Sequence, residues 1–462
     1  MLFNSLIFLC AFLPTTYLGF WILRSKTSRY IWLTFTGYVF YGSWNYKFCS
    51  LMAFSTLVAY VAGRSLLRWQ LPWQRRLCLI VPITVDLALL GFFKYTGFAL
   101  ETSQSLARLL GFDVTLPIPQ IVLPVGISFY TFHTITYIVD SYRGVVTPTR
   151  HFFELSCYVS LFAQLVAGPI VRFRQIESDL EAIERADRRA GLNIGWSFFA
   201  IGLIKKVLIA DTIASVIDPA LANYHSLSSA GTWLCVLGYT YQLYFDFSGY
   251  SDMAVGLGHM FGLRLPQNFN SPYKAVDISD FWRRWHISLS TVLRDYLYIP
   301  LGGGRGSALF VYRNLMITML LGGLWHGANW TFVVWGAYHG ALLIMYRLLG
   351  PGWDAMPAVF KRLATFFLVV VGWVFFRATD FSMAATLLHR MFVPSAGTLP
   401  VGAPLLLGML ILAALIAHFA PNTFEIDHSW SPAYVVAWSL LFAICLFAIY
   451  GNGASPFLYF QF

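Results

Sequence analysis

Apolar runs of about 20 residues, enough to cross a ~30 Å hydrocarbon layer, recur through nearly the whole chain. They fall near 5–23, 30–46, 48–63, 77–98, 121–139, 152–168, 194–210, 229–246, 308–325, 329–348, 362–376, 403–420 and 432–450. Lipid satisfies no backbone N–H or C=O, so such runs must bond internally as helices. The expected fold class is therefore all-α, a polytopic membrane protein. Several runs are short or interrupted by glycine, which leaves about ten or eleven true transmembrane helices, with the rest re-entrant or interfacial. Composition agrees: 11% of residues are charged, against roughly a quarter in a soluble protein. The run Ser5 to Leu23 has no preceding basic residue and no small-residue cleavage site, and reads as a retained span rather than a signal peptide.

The net charge of +10 would suggest nucleic acid in a soluble domain. Here the basic residues sit in short loops, where they report topology and contact anionic lipid headgroups; no nucleic-acid partner is expected. Arg24, Lys26 and Arg29, then Arg64, Arg68, Arg75 and Arg76, mark two cytoplasmic loops and put the N-terminus outside. Alternation then fails. The charged stretch Arg172 to Arg189 would fall outside if 152–168 crossed fully, so either that segment re-enters or an earlier one does not span. The six cysteines are scattered singly, which indicates neither a disulfide framework nor a zinc site. One membrane domain, 1–462, is expected. It comprises N-terminal spans (1–120), a motif-bearing core (121–376), and C-terminal spans with an aromatic tail (377–462).

Within the long non-spanning region 264–307, residues 278–299 read as one amphipathic helix at the membrane interface. At ~100° per residue, Ile278, Phe281, Trp282, Trp285, Leu289, Val292, Leu293 and Tyr296 share an arc. Asp280, Arg283, Arg284, Arg294 and Asp295 lie opposite, Asp277 is a plausible N-cap, and His286 falls at the edge of the apolar arc.

Histidines in membrane proteins most often serve as interfacial or helix-to-helix hydrogen-bonding groups. Ionisable groups at membrane depth nevertheless face cavities or partners rather than lipid. His326, in "GGLWHGANW" (322–330), stands out. Gly322, Gly323 and Gly327 permit close approach, and Trp325 and Trp330 supply rigid walls. Apolar surroundings favour the neutral imidazole, whose lone pair can accept a proton. No GxSxG or catalytic-cysteine signature accompanies it, so the chemistry allowed is general-base catalysis on an incoming hydroxyl. His339, in "WGAYHG", would face another side of a continuous helix. No HxxxH, HExxH or neighbouring carboxylate supports a metal, and "GGGRG" (302–306) reads as a flexible turn. "YFDFSGYSDMAVG" brings Tyr244, Asp246, Ser248 and Asp252 together, as a polar helix end or as an orienting network at a cavity mouth. Lys205 and Lys206 read as snorkelling residues. In the terminal "FLYFQF", Tyr459 is a hydroxyl nucleophile near the end of the sequence.

Taken together, "LPVGISFYTF" (123–132), "DSYRG" (140–144), "YFDFSGYSDMAVGLG" (244–258), "NFNSPY" (268–273), "FWRRWHISLSTVLRDYLYIPLGG" (281–303), "GGLWHGANWTFVVWGAYHG" (322–340) and "PFLYFQF" (456–462) resemble the membrane-bound O-acyltransferase family. The likeness is strongest to its bacterial branch, the membrane components of alginate, cellulose and peptidoglycan O-acetylation, with the teichoic-acid D-alanyl transferase as a cousin. The resemblance implies a ring of helices around a central funnel in a bacterial inner membrane. It places the family's core histidine at His326 and its second histidine at His286. Trp325, Asn329, Trp330, Tyr244, Asp246, Ser248, Asp252, Trp285, Arg283, Arg284 and His339 are then expected to line the funnel. It implies a cytoplasmic thioester donor, acetyl-CoA, with no bound cofactor or metal. It also implies a polysaccharide acceptor served through an extracytoplasmic SGNH-type partner. The F-x-Y-x-x-F tail (Phe457, Tyr459, Phe462) resembles tails proposed to carry an acyl-accepting tyrosine, making Tyr459 a candidate relay. His133 departs from the family's pattern and receives no catalytic role. The rival readings are a D-alanyl-type transferase, an acyl-carrier transporter without bond chemistry, and a membrane scaffold that only docks a partner enzyme.

Overall fold

The computed structural model describes residues 1–462 except 114, 167, 429, 430, 454 and 459–462, together with the side chains of 433, 434 and 452. The regular elements among the described residues are all helices, with no strand and only an isolated bridge between Leu227 and Thr398. Five helical stretches are long and apolar enough to cross a membrane: Lys26–Leu66, Pro72–Leu109, Ala308–His326, Trp330–Asp354 and Ala358–Arg377. The first holds two of the apolar runs, separated by the short turn Tyr46–Phe48. Phe8–Ile22, Ala403–Phe419 and Val435–Gly451 are shorter apolar helices.

The run 152–168 is interrupted. Phe152–Ser160 is helical, Leu161 leaves the helical conformation, and Phe162–Leu165 forms one more turn. A nine-residue helix is only about 14 Å long, less than half the hydrocarbon thickness. It is tolerated because protein covers it: every residue from Glu154 to Val166 is buried. The failure of basic-loop alternation at Arg172 thus coincides with a segment too short to span.

At the centre stands Ser229–Met260, whose residues are buried almost continuously from Cys235 onward. It packs closely against Arg188–Ile204 because glycines face glycines. A Cβ on Gly202 would sit 2.4 Å from the Gly249 carbonyl oxygen, and one on Gly195 2.5 Å from that of Gly256. Lipid offers no hydrophobic drive between helices, so close backbone approach of this kind supplies the association. The same device joins Ala308–His326 to Trp330–Asp354. A Cβ on Gly323 would meet the Phe332 carbonyl oxygen at 2.2 Å, and one on Gly336 that of Met319 at 2.3 Å. This tight hairpin fixes the height of the residues at its turn.

Candidate active site

His326 is the last residue of Ala308–His326, and Gly327 leaves the helix in extended conformation. Asn329 then starts the next helix, its Oδ1 accepting from the Thr331 N–H at 2.9 Å. The imidazole of His326 is 4% exposed. Trp325, Trp335 and Phe376 surround it, each ring centroid 5.1 Å away.

His286 comes to the same place by a route the helical periodicity hides. The expected helix 278–299 is broken. Asp277 does cap its start, accepting from the Asp280 N–H at 2.6 Å, but Ile278–Arg284 ends before an extended Trp285. His286 then adopts φ 44°, ψ 54°, in the left-handed region, and Ile287–Leu293 begins a second helix. The cause is visible in the packing. Trp285 is buried against Phe269 and Trp373, 5.0 and 4.8 Å away. One helical step would swing residue 286 about 100° from it. The reversal buries both, and histidine is among the side chains that tolerate this conformation. His286 is therefore fully buried rather than at the edge of an interfacial helix. The break is held by strand-like pairing with the 268–273 motif, in which Asn270 N–H donates to Arg284 O and Ile287 N–H to Asn268 O, both at 2.9 Å.

The His326 and His286 ring centroids are 6.4 Å apart. Asn268, which local sequence did not single out, orients His286. Its Oδ1 accepts from the Ser288 backbone N–H at 3.2 Å and the Ser288 hydroxyl at 2.8 Å. A backbone N–H can only donate, which fixes this atom as the amide oxygen. His286 Nδ1, 3.1 Å from the same oxygen, must then carry its proton and donate, leaving Nε2 as the acceptor nitrogen. Ser288 Oγ in turn accepts from the Ile170 N–H at 2.9 Å, tying the broken segment 152–170 to the site.

Lys94, also missed, projects from Gly91–Tyr95 to the end of the His326 helix. Its Nζ donates to the Trp325 carbonyl and, at 3.3 Å, to that of His326, while the Tyr95 hydroxyl donates to Leu324 O at 2.9 Å. An amino group there satisfies carbonyls left unpaired at the helix end. A lone lysine in the apolar "GFFKYTG" (91–97) was the available signal.

Lys94, Trp325 and His326 line a cavity of about 110 Å³. Lys94 and Leu123 also border a second cavity of about 470 Å³, with Asn329 and Arg377 on its wall. On another side, Trp282, Arg283 and Arg294 line a cavity of about 450 Å³. Trp282 packs on Trp335 at 5.7 Å, and Trp335 on His326. Two tryptophan rings thus stand between that cavity and the histidine.

The other sequence candidates are dispersed. Trp330 is 47% exposed and donates to Thr102 Oγ1 at 3.2 Å, so it does not wall His326. Asn329 Nδ2 donates to Thr379 O at 2.9 Å. Arg284 donates to Asp280 at 2.9 Å, and Arg283 to Ser279 Oγ at 3.1 Å. His339 is buried among Phe281, Trp282, Trp335 and Trp373, one tryptophan removed from His326. His133 is fully buried, 5.4 Å from Tyr158. Tyr244 packs on Tyr273 at 5.1 Å, and Ser248 is buried in the same helix. Asp252 accepts from Lys205 and the Thr423 hydroxyl, each at 2.6 Å. Asp246 pairs with Lys206 at 2.6 Å. The two lysines are therefore ion-paired within the protein and do not snorkel. Tyr459 and Phe462 lie outside the described residues. Among the described residues, no group of three or more His, Cys, Asp or Glu could hold a metal ion.

The sequence model described as MBOAT, the membrane-bound O-acyltransferase family, matches residues 145–384, a span that contains His286, His326 and His339. A probable alginate O-acetylase (AlgI) of Pseudomonas aeruginosa is 43% identical over 91% of this chain and 81% of its own. The corresponding protein of Pseudomonas putida is 40% identical over the whole of both chains. A peptidoglycan O-acetyltransferase of Helicobacter pylori is 39% identical over 85% of this chain and 80% of its own.

Proposed function

The chain belongs to the membrane-bound O-acyltransferase family, and on that premise we propose that it moves an acetyl group from a cytoplasmic thioester, acetyl-CoA, to a hydroxyl destined for an extracytoplasmic polysaccharide. Its relatives are named for alginate and peptidoglycan acetylation, and a polymer of that kind is the final acceptor. In the transfer, His326 removes the acceptor's hydroxyl proton while that oxygen attacks the acyl carbonyl carbon. The C–O bond forms, the C–S bond breaks, and the thiolate leaves as coenzyme A. His286 is the second polar group of the chamber, presenting the nitrogen that Asn268 leaves as acceptor.

The observation that carries this reading is the pairing of two buried imidazoles 6.4 Å apart within an aromatic enclosure, next to a cavity that His326 itself lines. The cavity bordered by Arg283 and Arg294 suits the phosphate-bearing end of the donor, since guanidinium pairs readily with phosphate oxygens, and the donor's thioester arm must pass Trp282 and Trp335 to reach His326. The first acceptor is Tyr459, or a serine of an SGNH-type partner that then acetylates the polymer. Tyr459 is favoured by the burial of the residues before it, with Phe457 1% and Leu458 5% exposed.

The test is the acetyl-ester content of surface polysaccharide in cells carrying His326→Ala at normal membrane abundance. Loss is expected, and retained acetylation would remove the general-base role. For the relay, mass spectrometry of the C-terminal peptide should find an acetyl group at Tyr459 when the partner is deleted. An unmodified peptide, together with full activity of Tyr459→Phe, would eliminate it.

A further inference from the structure

Lys206, Asp211 and Asp246 take no part in the transfer steps above, yet they share one cluster, buried at Lys206 and Asp246 and partly exposed at Asp211. Lys206 Nζ lies 2.6 Å from Asp246 Oδ1 and 2.7 Å from Asp211 Oδ1, with the lysine and Asp246 side chains 3% and 2% exposed. Burying a charge is costly unless it is paired and hydrogen-bonded, so such a cluster marks a place where geometry is tightly specified. What it specifies is the course of residues 455–458.

Lys206 Nζ also donates to Ser455 Oγ at 2.9 Å and to the Pro456 carbonyl at 3.2 Å. The Ser455 hydroxyl donates to Asp211 Oδ1 at 2.6 Å, and the Leu458 N–H donates to Asp246 Oδ2 at 2.9 Å. Asn4 Nδ2 closes the strap from its other side, donating to the Ser455 carbonyl at 3.1 Å. Each charged group of the cluster thus holds a residue of 455–458. Phe457 is meanwhile wedged between Tyr250 and Phe247, 4.9 and 5.4 Å away, and Phe247 stands 4.7 Å from His286.

We infer that Lys206, Asp211 and Asp246 form a latch that holds the strap 455–458 against the His286 side of the core, and that they are positioning residues for the acyl transfer. The physical gain is that of pre-paid orientation. A loose segment samples a large volume, whereas one fixed by its backbone enters each turnover already confined. A cavity of about 610 Å³ lined by Asp211, Gly453 and Ser455 flanks the latch. The positioning role rests on the relay reading of Tyr459; the latch itself does not.

The experiment compares wild type, Ser455→Ala and Lys206→Met in lipid nanodiscs by hydrogen–deuterium exchange of the C-terminal peptide and by initial rates of acetyl transfer. Lys206→Met leaves the buried Asp246 and the partly exposed Asp211 without their cation and can compromise folding. Ser455→Ala only removes hydroxyl hydrogen bonds and keeps the test open. The peptide is expected to exchange about tenfold faster in Ser455→Ala, with kcat lower by a similar factor. KM for the acetyl donor and the melting temperature should be unchanged, a split that a merely structural role would not produce. Unchanged exchange in both variants overturns the latch while leaving the relay intact. Faster exchange with undiminished kcat overturns the positioning role. Full activity of Tyr459→Phe would instead defeat the relay reading, and the exchange measurement would still judge the latch.

Discussion

Replacing Asn268 with alanine tests the tautomer assignment directly. One buried oxygen accepts from His286 Nδ1, the Ser288 N–H and the Ser288 hydroxyl at 3.1, 3.2 and 2.8 Å, and the substitution strands all three donors. A buried donor left unmet costs about 1–3 kcal/mol. The hydroxyl can rotate to another acceptor, so the loss falls mainly on the backbone N–H and the imidazole, about 2–6 kcal/mol of stability in total. The catalytic share is the freedom regained by His286 to change tautomer or rotate. At 1.36 kcal/mol per factor of ten, losing an interaction of about 1.4–2.8 kcal/mol slows transfer about 10- to 100-fold. Asn268→Asp is the control. It keeps an acceptor oxygen towards His286 and Ser288, loses the donor to Ser251 and adds a buried charge that the three facing donors partly offset. It should therefore melt lower than wild type yet retain more activity per folded molecule than the alanine variant. The assay is polymer acetylation normalised to membrane abundance, with a melting curve in detergent to separate stability from chemistry. Wild-type transfer by Asn268→Ala, or an aspartate variant as poor as alanine, would refute the argument that Asn268 orients His286.

Three further outcomes follow from local geometry. Because His286 sits at φ 44°, where an L-residue is strained by about 1 kcal/mol and glycine is not, both His286→Ala and His286→Gly should lose transfer. The glycine variant should melt at or above the alanine variant, and a clearly lower melting point would contradict the strain. Gly336→Ala drives a Cβ to 2.3 Å from the Met319 carbonyl oxygen and should prise apart the hairpin that seats His326, cutting transfer more than tenfold, since ångström-scale misplacement costs about 100-fold; Gly350→Ala in the same helix, with nothing within 4 Å, should leave it unchanged. Trp330→Phe removes only an exposed hydrogen bond to Thr102 and should preserve transfer within about twofold, which acetyl-ester quantification would show.

That the chain is a helical, polytopic membrane protein could be read from sequence alone, because length and apolarity are one-dimensional properties and the bilayer demands helices. The expected ten or eleven spans were not equally legible, since five helical stretches are long and apolar enough to cross and the run 152–168 is broken. The ordered motifs likewise named the family and singled out His326 and His286 without coordinates. Tertiary structure decided what those motifs do to one another. Helical periodicity carried 278–299 straight through Trp285 and His286, since a window of sequence cannot foresee that both side chains must be buried at once. Asn268 and Lys94 gave little local signal: an asparagine in "NFNSPY" becomes an orienting group only where the chain brings it opposite residues 286–288, and Lys94 only where Gly91–Tyr95 meets the end of the His326 helix. Lys206 and Asp246, too, looked like independent residues at helix ends. Their pairing joins two different helices, and their hold on residues 455–458 depends on contacts spanning more than 200 positions; only the folded chain supplies either.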